Sequence, residues 1–411
     1  MKILVMAAGS HGDVAPYTGL GARLRAAGHE VALAAPETFG GLVTESGLEF
    51  RPLCADPRGG TGGAGRPGGT GGPGGGSLLG RAAAFIDRLG DGLADAAAPG
   101  ADLLLPSATT APLGWHLAEA MDVPSLGVYV QPTLPTGEFP PVVGGTRSLG
   151  RWGNRAAGAV GQRVVDRLHA DAARRLRVRL GLPPLAQGAR RRARERENWR
   201  VLHGFSPLLV PRPADWRSGL EVVGPWWPYV APDYRLPAEV EDFLQAGPAP
   251  VFVGFGSMAG GEGERLGALV AEALRRAGVR GVVQAGWAGL AAAGDDVLGV
   301  GEIPHARLFP RMAAVVHHAG AGTSAAALRA GVPGVPVPVA ADQPFWAARL
   351  ARLGAATDPL PFRELTAERL AERVRRAVAE PAFRIRAETA AGELGRQDGA
   401  ARVAEVVAGG M

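Results

Sequence analysis

The chain has 411 residues, 46% apolar and 20% charged, too long for one ordinary core and apolar enough to fill two. A formal charge of +5 is modest for this length, and no stretch approaches the ~18 to 20 apolar residues of a spanning helix, so stable membrane insertion is not expected. The single cysteine, Cys54, allows neither an internal disulfide nor a Cys/His zinc spacing, and a reducing cytoplasm is the simplest setting.

Residues 3–6 form a short apolar run that ends in a glycine-containing turn, 9–13. Without a cleavage region behind it, this start reads as a first buried strand and not a signal peptide. A helical face follows at Tyr17, Leu20 and Leu24, with Gly28 as its stop, and 30–35 and 48–53 read as the next strands. Residues 101–105 and 125–130 extend the same strand–helix alternation, which argues for a parallel, doubly wound sheet. Between 48–53 and 101–105 the glycine-rich run 59–77 cannot bury a core. It reads as a mobile loop, either a passive insertion or a flap over a cleft. The arginine-dense segment 189–200 is interrupted by Glu195 and Glu197, and a solvated helix face accounts for it better than a nucleic-acid groove.

The Pro-rich stretch 206–227 reads as a connection, after which alternation restarts. Strands are expected at 250–255, 281–284, 297–300, 314–317 and 335–339. Helices are expected at 345–353 before Gly354, and at 366–379 behind a Thr366 N-cap. The expected class is α/β, with two doubly wound, Rossmann-like domains over 1–205 and 228–411 joined by 206–227. The last helix is free to pack back on the first domain.

The strongest local pattern is AVVHHAGAGT, 314–323. A strand ending at His317 and His318 would run through a small-residue turn into a helix near Thr323. Gly320, Ala321 and Gly322 let backbone N–H groups approach a ligand, and a helix N-terminus favours an anion. With His318 and the Thr323 hydroxyl as further donors, this is a diphosphate cradle or an ordinary tight turn. Asp342 and Gln343 follow the next strand, where they suit either vicinal sugar hydroxyls or helix capping before Pro344. Ser257, at the end of the first strand of the second half, is placed to donate to a phosphate oxygen, and the main chain around Ile303 to pair with a base edge. In GSHGDVAP, 9–16, His11 and Asp13 are both candidate general bases, or else a surface residue and a cap.

Taken together, GSHGDVAP, GFGS and HHAGAGT…GVPGVPVPVAADQPFW resemble the GT-B glycosyltransferases. Within them the chain is most similar to bacterial UDP/TDP-sugar enzymes that decorate antibiotics and other natural products. The resemblance covers both halves in the expected order, while about 58–200 is recognisable mainly by position. It implies two facing Rossmann-like domains, a nucleotide-sugar donor held mainly by the second and a small-molecule aglycone mainly by the first. Transfer would invert the anomeric centre without a bound metal ion or other cofactor, and the chain has no Asp-x-Asp pair. His318, Gly320, Gly322 and Thr323 would hold the diphosphate with help from Ser257. Asp342 and Gln343 would take the sugar, Ile303 would face the base, and Asp13, ahead of His11, would take the acceptor proton. Plant-type relatives carry Trp where this chain has Glu302, and glycopeptide relatives commonly carry Gly where it has Ala319. A nucleotide-sugar epimerase and a degenerate partner-activating homologue are the competing readings. His29, His116, His169 and His203 read as structural or surface residues, and Trp226–Trp227 as packing at the domain junction.

Overall fold

A computed structural model describes residues 1–53, 78–143, 145–256, 263–285 and 296–410, with 78–83 as backbone alone. Cys54, the run 59–77 and Ser257 lie outside these residues.

The first half is built on β1 (Lys2–Met6), β2 (Glu30–Pro36), β3 (Glu49–Leu53) and β4 (Leu103–Pro106), in the order β3-β2-β1-β4. A Leu104–Ser125 bridge joins this sheet to β5 (Gly127–Tyr129), β6 (Val201–His203) and β7 (Leu220–Val222). The second half carries β8 (Val251–Gly254), β9 (Gly281–Gln284), β10 (Val297–Val300), β11 (Ala314–His317) and β12 (Gly334–Pro336), in the order β10-β9-β8-β11-β12. Every pairing is parallel. Parallel strands need helical crossovers that cover both sheet faces. That is why β1, β4, β8 and β11 read as unbroken apolar runs: Leu4, Val5, Leu104, Leu105, Val251, Val253, Val315 and Val316 are fully buried.

Two departures from the expected elements have clear causes. β6 and β7 are three residues each, too short to show a period, and β7 lies inside the Pro-rich stretch 206–227. That stretch therefore contains the edge strand of the first half's three-stranded sheet as well as the path to the second half. β12 stops at Pro336, ahead of the expected 339, because Pro336 and Pro338 offer no N–H to extend a ladder.

The two halves meet along the helix His11–Ala26. The final helix, Gly399–Ala408, packs on it and shares a core with it, burying Val403, Val406 and Val407 with Leu20 and Leu24. Trp226 is buried with its ring 5.7 Å from that of Tyr17, and Arg329 lies 4.4 Å over the Trp227 ring. Thr18 Oγ1 accepts from the Tyr229 N–H at 2.9 Å. At Gly19 a Cβ would stand 1.8 Å from the Trp227 carbonyl oxygen. Gly19→Ala is therefore expected to destabilise the fold by on the order of 3 kcal/mol, because backbone on both sides must give way. The check is a lower urea midpoint at unchanged slope.

The remaining polar clusters are structural. His116 Nε2 lies 2.8 Å from Gln187 Oε1, and its Nδ1 2.9 Å from Arg177, which also forks Glu119 at 2.8 and 3.0 Å. His203 stacks on Trp216 in the core, with ring centroids 4.6 Å apart. The arginine-dense helix Gln187–Arg196 pairs Arg191 with Asp166 and Glu195, and Arg190 with Glu119.

Candidate active site

In each half the strand order reverses beside the first strand, between β1 and β4 and between β8 and β11. Loops leaving the carboxyl ends of such neighbours diverge and open a crevice. The conspicuous polar residues of the sequence sit in these loops.

Beyond β11, His318 is held between two glycines. A Cβ on Gly256 would lie 2.8 Å from its ring and one on Gly320 2.5 Å. Its Nδ1 is buried, and burial lowers the ring pKa to about 4 against the pull of the Gly254 carbonyl, which raises it. The ring is therefore neutral at pH 7, with one nitrogen able to donate and the other to accept, and it is not a fixed cation. His317 is buried behind it, with Nδ1 accepting the Ala319 N–H at 3.1 Å.

The helix Ala321–Arg329 starts two residues ahead of Thr323, so Ala321, Gly322 and Thr323 make its first turn. Gly320 is its N-cap and brings no side chain to it. Among the described residues nothing accepts from the N–H groups of these three, and Ser324 Oγ is buried without a partner. Several donors thus converge at the positive end of a helix dipole. Ala319 turns the chain into this arrangement at φ 63, a left-handed conformation that costs a non-glycine residue roughly 1–2 kcal/mol. The loop accommodates Ala there, as expected, but at a strained position.

Beyond β12, Asp342 stands at the N-cap of the helix Gln343–Leu353 yet makes no capping bond to it. Its Oδ2 accepts instead from Trp346 Nε1 at 2.8 Å and from Gln131 Nε2 at 3.0 Å. Burial raises its pKa, against the pull of those two donors. Gln343 is buried, and its Oε1 accepts the N–H groups of Val339 and Ala340 at 2.8 and 3.1 Å. The amide oxygen thus fastens the loop, leaving only the NH2 for a ligand. Ile303 buries its side chain, while among the described residues its main-chain N–H and C=O have no partner.

In the first half, Ser10 caps the helix His11–Ala26 and Asp13 lies one turn in. Asp13 Oδ2 accepts from the Ser10 N–H at 2.8 Å and from Ser10 Oγ at 2.9 Å. Gly9, at φ 140, makes room for this carboxylate, since a Cβ there would stand 2.5 Å from Oδ2. The capping role and a chemical role are therefore compatible, because Oδ1 takes no part in the cap. Burial raises the Asp13 pKa, the two Ser10 bonds oppose that, and the charge of Asp342 raises it further.

His11 is committed elsewhere. Its Nε2 lies 2.8 Å from Glu302 Oε1 in the opposite half, and that bond holds the Glu302 carboxyl below its usual pKa. Asp13, His318, Gly320–Thr323, Asp342, Gln343 and the Ile303 main chain are thus gathered by loops of one crevice, whereas Ser257 lies outside the described residues. Gln131, Trp346, Gly256 and Glu302 were not singled out as site residues by the sequence. Gly256 lies in the GFGS run and Glu302 where plant-type relatives carry Trp, while Gln131 and Trp346 carried no signal beyond lying in segments near strand ends. Among the described residues no cluster of three or more His, Cys, Asp or Glu could hold a metal ion, and no helix is long and apolar enough to cross a membrane.

Residues 282–408 match the family described as erythromycin biosynthesis protein CIII-like, C-terminal domain, and 3–72 match the glycosyltransferase family 28 N-terminal domain. The chain is 36% identical over 405 residues to O-mycaminosyltylonolide 6-deoxyallosyltransferase of Streptomyces fradiae, covering 94% of this chain and 92% of that protein. It is 31% identical to sterol 3-beta-glucosyltransferase UGT80A2 of Arabidopsis thaliana over 98% of this chain, and spans only 64% of that longer protein. Its fold is that of the kitacinnamycin glycotransferase, with a TM-score of 0.71 at 22% identity over 99% of this chain and 98% of the other.

Proposed function

We propose a reaction for this chain as a GT-B glycosyltransferase: it belongs to the UDP/TDP-sugar family, in the branch typified by bacterial antibiotic and natural-product enzymes. The reaction is transfer of a sugar from a UDP- or TDP-sugar to a hydroxyl of a small-molecule aglycone, with release of the nucleoside diphosphate, with inversion and without a bound metal ion. The relative from S. fradiae carries the name of a 6-deoxyallosyltransferase.

What supports this reading is that side chains of the two halves meet at these loops, Gln131 with Asp342 at 3.0 Å and His11 with Glu302 at 2.8 Å, beside a helix N-terminus whose first N–H groups have no acceptor among the described residues. Asp13 takes the proton of the acceptor hydroxyl as its oxygen bonds to C1 of the sugar. The bond from C1 to the diphosphate oxygen breaks on the opposite face, and its electron pair leaves with the diphosphate. That charge falls on the N–H groups of Ala321, Gly322 and Thr323 and on His318, donors already oriented before reaction. Asp342 and the Gln343 amide hold the sugar, and the Ile303 main chain meets the base. Proximity supplies much of the rest once both substrates are bound.

The test is incubation with TDP-glucose or UDP-glucose and a panel of hydroxylated aglycones, following glycoside formation and the anomeric configuration of the product. A product of inverted configuration supports the reading. Consumption of the nucleotide sugar without any acceptor would replace it with an epimerase. Within this frame Gly320→Ala should push the His318 ring aside, its Cβ falling 2.5 Å from Nε2. TDP or UDP affinity is expected to fall about tenfold, the worth of one lost hydrogen bond to a charged group, with a loss of stability of about 1–3 kcal/mol from overpacking the ring.

A further inference from the structure

The carboxylate assigned above to the donor sugar is itself held from the other half of the molecule. Asp342 starts a helix but does not cap it, so nothing in its own turn fixes the side chain except Trp346. Trp346 is 1% exposed and belongs to the same helix, so it travels with the second half. The second donor to Oδ2, Gln131, follows β5 in the first half and is 211 residues away in sequence. One donor leaves a carboxylate free to rotate about its last torsion. Two donors on the same oxygen fix its plane and leave Oδ1 without a partner among the described residues.

We infer that Gln131 is a positioning residue for the donor sugar: it orients Asp342 across the cleft, so that sugar recognition by the second domain is completed by a side chain of the first. This rests on the proposed function, and specifically on Asp342 binding the sugar. It implies that opening of the cleft relaxes the grip on the sugar while leaving the nucleotide bound. The two halves would then be coupled through the donor. A simple brace between domains would make no such distinction between nucleotide and sugar.

The experiment is calorimetric titration of the full chain with TDP, UDP, TDP-glucose and UDP-glucose, on the parent and on Gln131→Met and Gln131→Glu. Both variants keep the length of the side chain and remove the donor. Affinity for the free nucleotide is expected to stay unchanged. Affinity for the matching nucleotide sugar is expected to fall about tenfold in Gln131→Met, the loss of one hydrogen bond to a charged group, and further in Gln131→Glu. The pH profile supplies a second readout. Gln131 stabilises the ionised carboxylate, so its loss should move the acid limb of sugar-nucleotide binding to higher pH. Asp13, the facing ionisable group across the cleft, is unaltered and contributes equally to parent and variant.

Equal losses for nucleotide and nucleotide sugar would make Gln131 a brace and overturn the inference, as would no loss in either variant. A parent that binds free nucleotide as tightly as nucleotide sugar would take Asp342 off the sugar, ending the inference but sparing the nucleotide site. A parent that binds none of the four ligands would end both.

Discussion

Replacing Asp13 by Asn is expected to lower kcat/KM for sugar transfer by about 10²- to 10⁴-fold, the usual worth of a general base, with nucleotide affinity unchanged. The substitution is clean because the amide oxygen can still accept from the Ser10 N–H and Oγ, so the helix start survives. What is lost is the basic oxygen. An ordinary carboxylate is a weak base for a hydroxyl, but burial and the charge of Asp342 both raise the Asp13 pKa. Its acid limb in kcat/KM should lie above the usual carboxylate value and disappear in the variant. The stability sign follows from the same raise. A carboxyl whose folded pKa exceeds its unfolded one opposes folding once pH rises above the unfolded value. Asp13→Asn should therefore be no less stable than the parent at neutral pH. His11→Ala is the control, since its ring is engaged by Glu302 in the opposite half and the variant should retain transfer. Full transfer by Asp13→Asn would remove Asp13 from the base role.

His318→Ala is expected to reduce turnover by about 10²- to 10³-fold, as for loss of one preorganised donor to developing charge. It should also weaken nucleotide diphosphate binding by about tenfold, because the ground-state diphosphate already carries charge. Two features make His318 more than a packing residue. The glycines at 256 and 320 leave room for its ring and nothing larger than hydrogen on either side. Its largely buried ring stands at the start of the turn that carries the N–H groups of 321–323, which have no acceptor among the described residues. Since its pKa is lowered to about 4, turnover should show no acid limb from His318 between pH 5 and 8. Unchanged diphosphate affinity and rate in the variant would leave the helix N-terminus alone to hold the anion.

Much of this site was legible in the chain because its parts are local. AVVHHAGAGT fixes strand, turn and helix within ten residues, and GSHGDVAP does the same after β1. The glycines there are read from sequence because close approach needs them. What stayed hidden depends on contacts between distant segments. Gln131 and Asp342 are 211 residues apart, and His11 meets Glu302 only because two separately folded sheets face each other. No periodicity announces such pairs. Asp342 looked like a helix cap, and the position agrees, yet its oxygen is turned to Trp346 and Gln131. Gln343 suits sugar hydroxyls or helix capping by its position, whereas its oxygen closes the loop at Val339 and Ala340. Among the strands, β6 and β7 were invisible because three residues cannot display an alternation, and β7 is embedded among prolines. By contrast the helix Ala367–Ala379 was readable to its first residue, with Thr366 Oγ1 accepting from the Arg369 N–H at 3.3 Å.

The division of labour between the two halves is tested most directly by titrating TDP and UDP into the parent, Asp13→Asn and His318→Ala under one set of conditions. The account predicts that the parent and Asp13→Asn bind one of these nucleotides equally well, while His318→Ala binds it about tenfold more weakly. Loss of nucleotide affinity in Asp13→Asn with full affinity in His318→Ala would contradict it, placing the nucleotide in the first half.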